Sequence, residues 1–259
     1  MPGNPWHLPG AFSRMTPAEG AFYLGIPNVI MVRFGNLPQP PFRQHALPLL
    51  PLKRFLWSIV GDSGSTDNDR DPDVAAVLAL APEFPNLIGA IMDDFFRRDA
   101  DRPGRYTVDQ VAGFRRQLRA GPRPLDLYVV AYTHDLDYPI RDHLAAVDAV
   151  TFWTWQAAQL QALETNFARL EAVTPAATRK LLGIYLWDFG SGAPIPRDAM
   201  EHQCRLGIDW LRAGRVDGLV FLASCIADLE IEAVGYARRL IRQVGDEPLP
   251  PTRRPPAPA

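Results

Sequence analysis

Seven short apolar runs, most of them separated by segments with helical spacing, constrain the fold of this chain more than any other feature. The runs cover residues 29–34, 55–60, 87–92, 127–132, 149–153, 181–187 and 219–222. Each is rich in β-branched or aromatic residues, and several are apolar at almost every position. Strands buried on both faces read this way, and such strands belong to parallel sheets covered by helices. Helical spacing is expected at residues 17–24, 71–80, 107–119, 160–172, 197–213 and 229–244. In the second of these, Asp71 is placed to cap and Pro72 to occupy the first turn. Gly214 and Gly245 stand where two helices should stop.

Repeated βα units suit either a closed barrel or an open doubly wound sheet. An open sheet usually carries a Gly-rich phosphate turn after its first strand, and the sequence has none. The expected fold is therefore α/β, a (β/α)8-type (TIM) barrel. Eight strands are needed and seven are visible, so the first strand is expected to be incomplete or missing. Either residues 1–10 supply an irregular strand or the chain has an upstream start.

The chain has 259 residues and 26 prolines, and the prolines mark its boundaries. Residues 1–16 read as an irregular N-terminal segment, 17–246 as the barrel, and 247–259 as a disordered Pro-rich tail. Within the barrel, residues 37–51 hold five prolines and read as a loop that is neither helix nor central strand.

The formal charge is −2, which gives no basic field for nucleic acid or an anionic membrane. No apolar run approaches the ~20 residues of a membrane span. Without a secretory signal at the start, the chain reads as cytoplasmic, an expectation that depends on the true N-terminus. Cys204 and Cys225 cannot form a disulfide framework or a Cys-based zinc site, and both read as buried core residues. Oligomeric state is left open.

In a barrel, chemistry gathers at the C-terminal ends of the strands. Asp62 follows the second run. Asp93 and Asp94 follow the third, in GAIMDDFF. Tyr132, Thr133, His134 and Asp135 end the fourth. Trp153 and Trp155 end the fifth, Trp187 and Asp188 the sixth, Ser224 the seventh, and Arg33 and Asn36 belong to the first. Two adjacent carboxylates at the end of a buried strand are costly unless solvated, paired or functional. Side chains alternate along a strand. If Gly89 and Ile91 face the axis, so does Asp93, and Asp94 is expected to turn towards the helices, where it could cap a loop. Asp126, Asp148 and Asp217 precede strands and are assigned to structure. His143 and His202 read as surface residues of helical stretches.

Carboxylates ringed by aromatics are what a carbohydrate site needs. The expected catalytic residues are Asp93, Asp94 and Asp188, with one of Asp93 and Asp94 as general acid or nucleophile and Asp188 as its partner. The expected substrate-binding residues are Trp153, Trp155, Trp187, His134, Tyr132 and Arg33, and the expected partner is a carbohydrate substrate. Packing between strands and helices is the competing role for each aromatic taken singly. No metal site and no cofactor are expected, because no HxH or HExxH spacing is present. A GxSxG elbow is also missing, which argues against a serine hydrolase. Two alternatives use the same residues: a metal-dependent sugar isomerase or hydrolase built on Asp93, His134 and Asp188, and a non-catalytic sugar-binding barrel.

The strand-end pieces GAIMDDFF, VTFWTW and GIYLWDFG, with GIPNVIMVRFGN near the start, resemble bacterial TIM-barrel proteins of the glycoside-hydrolase-like type over roughly residues 24–243. The resemblance implies a barrel acting on carbohydrate through a carboxylate pair. The chain departs from common glycosidase patterns in having no Glu at any strand end, so the pair would have to be aspartates.

Overall fold

The structure is a computed structural model and describes residues 6–10, 12–222 and 225–249. Seven strands form one parallel sheet in strict chain order. They are β1 (Asn28–Met31), β2 (Arg54–Val60), β3 (Leu87–Met92), β4 (Asp126–Tyr132), β5 (Ala149–Trp153), β6 (Arg179–Tyr185) and β7 (Gly218–Leu222). Among the described residues the α-helices are α1 (Pro17–Leu24), α2 (Arg43–Ala46), α3 (Val74–Leu78), α4 (Val108–Arg119), α5 (Arg141–Ala145), α6 (Leu163–Val173), α7 (Arg197–Arg212) and α8 (Glu232–Val244). The sheet curls into an incomplete barrel with the helices outside. β7 does not close onto β1, and no eighth strand lies among the described residues.

The outer helices bridge this seam. Arg238 of α8 donates from Nε to the Tyr23 carbonyl of α1 at 2.8 Å, and its guanidinium lies 3.7 Å from the Tyr23 ring centroid. The strands at the seam are less covered than the others: β7 is half-buried throughout, whereas β5 is fully buried. An unpaired edge with partial exposure follows directly from the missing strand.

Strand alternation separates two layers. The outward face carries Phe55, Trp57 and Phe152, which pack on Phe84, Phe42 and Phe167 respectively. Gly207 of α7 sits close to Leu219 and Leu182 on that same outer side. The inward face carries Leu56, Gly89, Thr151, Trp153, Gly183 and Tyr185. Trp153 lies across Gly183 so closely that a Cβ there would enter the indole ring, and its Nε1 donates to Thr151 Oγ1 at 3.0 Å. Glycine at 183 is thus required by close approach of a ring.

The N-terminal ends of the strands are held by charge. Asp148 Oδ1 accepts from Arg115 and Arg119 at 2.7 Å each, and Oδ2 accepts from Leu127 N. Burial works against this charge, but the arginine and backbone hydrogen bonds overcome it and hold the carboxyl below its usual range. Asp126 pairs with Arg119 and Arg179, and Asp217 accepts from Lys180 N. These three aspartates occupy the structural end of the barrel, as their position before strands implies.

Several local expectations need correction. Residues 32–34 lie outside β1, where Gly35 and Asn36 adopt φ of +57° and +66° and turn the chain, and residues 186–187 lie outside β6. α3 begins at Val74 with Asp73, not Asp71, before it, and the Asp73 carboxylate bonds Arg33 and Asn68. The proline loop contains the single turn α2 and a 3-10 turn Leu47–Leu49, with Pro48 in the first turn where proline is tolerated. His143 is buried, with Nε2 2.9 Å from the Tyr106 carbonyl and its ring against Phe95. Cys204 is buried, but Cys225 only partly so. Residues 250–259 of the expected tail lie outside the described residues. Glu247, at its start, pairs with Arg212 at 2.8 Å.

Candidate active site at the strand ends

β3 delivers Asp93 into the barrel mouth on the inward face, and its N–H extends the pairing with β2 by donating to the Val60 carbonyl at 2.9 Å. Part of the side chain reaches the surface, yet protein surrounds it on most sides. Burial pushes its carboxyl well above the usual range, and the negative charges of Asp94 and Asp62 push the same way; the Asp94 backbone N–H and then Arg105 oppose them.

Asp94 does not turn to the helices. Its φ of +39° swings the chain, and its carboxylate returns to the mouth. Oδ1 accepts from the Tyr132 hydroxyl at 2.7 Å, and Oδ2 accepts from Ser63 N at 3.0 Å. A positive φ on a non-glycine residue is a strained conformation and clusters at functional sites.

Tyr132 and Trp153 are register partners at the ends of β4 and β5. The Tyr185 ring on β6 packs against Trp153 with centroids 4.8 Å apart. Tyr185 and Tyr132 lie close enough for each phenol to feel the other's charge, and the Tyr132 hydroxyl itself donates to the Asp94 carboxylate. Burial, first of all, raises both phenols well above their usual range. The result is an aromatic wall of Trp153, Tyr185 and Tyr132 that ends in one hydrogen bond to Asp94.

The loop that presents Ser63 N is rigidly supported. Arg105, 5% exposed, donates to the carbonyls of Gly61 and Ser65 at 2.8 Å each and to Asp69 Oδ1 at 2.9 Å. Asp62 Oδ1 accepts from Ser65 Oγ at 2.6 Å and Gly35 N at 2.9 Å, so this aspartate ties two loops together. Arg33 is 1% exposed, and its guanidinium bonds Asp73 and the Asn36 carbonyl. It clamps the loop from beneath and does not reach the surface of the mouth.

His134 stacks on Tyr132 at 5.3 Å with 6° between planes, and its Nε2 lies 3.4 Å from Asp135 Oδ1. Burial, and then the charge of Arg98, lowers its pKa. Asp135 is buried and pushed up to about 6, chiefly by that burial, although Oδ2 accepts from Tyr132 N at 2.7 Å.

Asp188 stands apart in its bonding. Its Oδ1 accepts from Gly190 N and Ser191 N at 3.1 and 3.2 Å, closing its own turn. That turn carries Phe189 against Tyr185 and Trp155. Trp187 is 4% exposed and donates from Nε1 to the Trp6 carbonyl at 3.0 Å. Trp153 is 6% exposed, and Trp155 remains half-open at the mouth. Ser224 lies outside the described residues. Among those residues, no group of three or more His, Cys, Asp or Glu side chains is arranged to hold a metal. Asp93, His134 and Asp188, the set the metal-dependent alternative requires, therefore form no such group.

The structure thus gathers Asp93, Asp94, Tyr132 and His134, with Trp155 at their edge. It adds Tyr185, Phe189, Arg105 and Ser63, which the sequence reading missed. Tyr185 could have been found from the inward alternation of Gly183 and Tyr185. Arg105 and Ser63 carry no local signal.

No protein-family model matches the chain, and no curated protein matches it in sequence. Solved structures do match in fold. A candidate alpha-L-fucosidase from Bacteroides thetaiotaomicron VPI-5482 is similar with a TM-score of 0.55 and 13% identity, over 88% of this chain and 84% of that one. A candidate lyase/mutase from Burkholderia cenocepacia J2315 is similar with a TM-score of 0.50 and 18% identity, over 92% of this chain and 84% of that one. At these identities the likeness establishes the shared α/β barrel fold. No described helix is long and apolar enough to cross a membrane.

Proposed function

We propose that the chain is a carbohydrate-active barrel enzyme that hydrolyses a glycosidic bond with Asp93 and Asp94. The observation that carries this reading is the different environment of two neighbouring carboxyls at the mouth. Burial and like charge favour the protonated form of Asp93, whereas Asp94 accepts hydrogen bonds on both oxygens, an arrangement suited to a carboxylate. Carboxyls in environments set apart in this way divide acid and base roles.

Asp93 donates its proton to the leaving glycosidic oxygen as the bond to the anomeric carbon breaks. Asp94 stabilises the positive charge that develops there. Water supplies the oxygen that replaces the leaving group, and its proton restores Asp93. Trp155 offers an aromatic surface for the apolar C–H face of a sugar. Asp188 supports the loop that carries Phe189. The fold shared with a candidate fucosidase is in keeping with this reading.

The test is release of reducing ends from a panel of p-nitrophenyl glycosides and oligosaccharides. Wild type should release product, Asp93→Asn should not, and a chelator should leave the rate unchanged. Sugar binding by the wild type without release would overturn the hydrolytic reading in favour of a binding barrel.

A further inference from the structure

Aromatic rings continue from the acid pair across the mouth in an unbroken series. Tyr132 meets Trp155 edge-on at 6.0 Å, and Trp155 stacks on Phe189 at 6.1 Å with 28° between planes. Phe189 meets Trp6 at 5.6 Å, and Trp6 meets Phe34 at 5.7 Å and Phe12 at 5.9 Å. These rings come from the ends of β4, β5 and β6, from the N-terminal segment, and from the turn after β1. The series therefore runs from Asp94 towards the side on which β1 and β7 leave the barrel open.

Packing alone does not account for the far end. Phe34 is 57% exposed and Phe12 40%, while Trp6 and Trp155 are half-buried. Apolar side chains left facing water forgo burial energy, and contiguous ones mark surfaces that bind something. The N-terminal segment that brings Trp6 is firmly docked. Trp187 Nε1 donates to the Trp6 carbonyl, Ser13 N to the Cys225 carbonyl at 2.9 Å, and Arg14 N to Asp228 Oδ2 at 3.2 Å. Gly192, with φ of +64°, lies so close to His7 that a Cβ would sit 2.8 Å from Nδ1.

We infer that this series is a track for an extended glycan, with the acid pair at one end, so that the substrate is an oligo- or polysaccharide of several units and not a single terminal sugar. The inference rests on the hydrolytic reading of Asp93 and Asp94. Phe189, 8% exposed, backs the series from beneath, while Tyr132, Trp155, Trp6, Phe34 and Phe12 keep accessible surface for the C–H faces of sugars. Continuity with the carboxylates distinguishes a glycan from a protein partner as the occupant.

The experiment titrates Asp93→Asn protein calorimetrically with gluco-, xylo-, manno- and N-acetylgluco-oligosaccharides of two to six units. In at least one series, Kd should fall about tenfold or more from two to five units. Adding Trp6→Ala or, separately, the exposed Phe34→Ala should reduce that ratio to below about threefold, with circular dichroism confirming the fold. A length-independent Kd, a gain that survives both variants, or no binding in any series would overturn the track. Length-dependent binding by Asp93→Asn without hydrolysis by wild type would leave the track standing and remove the acid assignment.

Discussion

The Tyr132 hydroxyl donates to Asp94 Oδ1 at 2.7 Å, across 38 residues of sequence and two adjacent strands. This bond turns the second carboxylate of the pair into the mouth. Tyr132→Phe keeps the ring that stacks on His134 and removes only the donor. Turnover should fall about 10–100-fold, less than the full effect of losing a general acid or base, while stability falls by about 1 kcal/mol. Tyr132→Phe that keeps wild-type turnover would show that this bond does not position Asp94.

Asp93→Asn should separate stability from activity. A carboxyl whose pKa is raised on folding binds more protons in the folded state between its unfolded and folded values. Stability therefore falls as pH rises through that window. Removing the carboxyl removes this penalty. The variant should melt at or above wild type at neutral pH, with the gain growing from acid to neutral pH, yet lose ~10²–10⁴-fold in rate. A variant that melts well below wild type at neutral pH would mark Asp93 as scaffolding.

Asp135 gives a second pH dependence, with its midpoint at about 6. Its folded value of about 6 exceeds the unfolded value, so its contribution is fully present below about pH 4 and is lost as pH rises towards 6, by at most about 3 kcal/mol. Asp135→Asn retains an acceptor for Tyr132 N. Chemical denaturation across pH 4 to 7 should show a flatter profile for the variant, and parallel profiles would exclude the titration.

Asp148 works in the opposite sense. Its depressed pKa contributes stability above the unfolded value that is lost as pH falls through the folded one. Asp148→Ala leaves Leu127 N without its partner, frees Arg115 and leaves Arg119 to Asp126, both arginines being themselves partly exposed. The expected cost is about 2–3 kcal/mol after solvent screening, with no direct effect on the distant mouth. Denaturant midpoints and kcat on the same protein check both statements.

Gly183→Ala forces a methyl into the Trp153 indole, which is buried and bonded through Nε1 to Thr151. The ring has little room to retreat, so a loss of about 1–3 kcal/mol is expected. Displaced Trp153 would disturb Tyr132, its register partner, and so reach Asp94, lowering turnover as well. Wild-type melting and activity would show that the ring can move.

The sequence alone determined the strands, because unbroken apolar runs are stable only when both faces are covered. It determined two helix starts as well, through Thr16 with Glu19 and Thr107 with Gln110, whose capping bonds close within one turn. Strand alternation likewise determined that Asp93 faces the axis. All of these depend on neighbours within a few residues. Tertiary structure decided the rest. The direction of Asp94 depends on Tyr132 and on a loop held by Arg105. Asp73, not Asp71, stands before α3, where it pairs with Arg33, 40 residues away. The aromatic series joins Trp6 to Tyr132 only because the sheet curls and brings strand ends together. Periodicity reports which face of an element a side chain occupies, but a partner across the barrel is set by curvature and loop path, which no local pattern encodes.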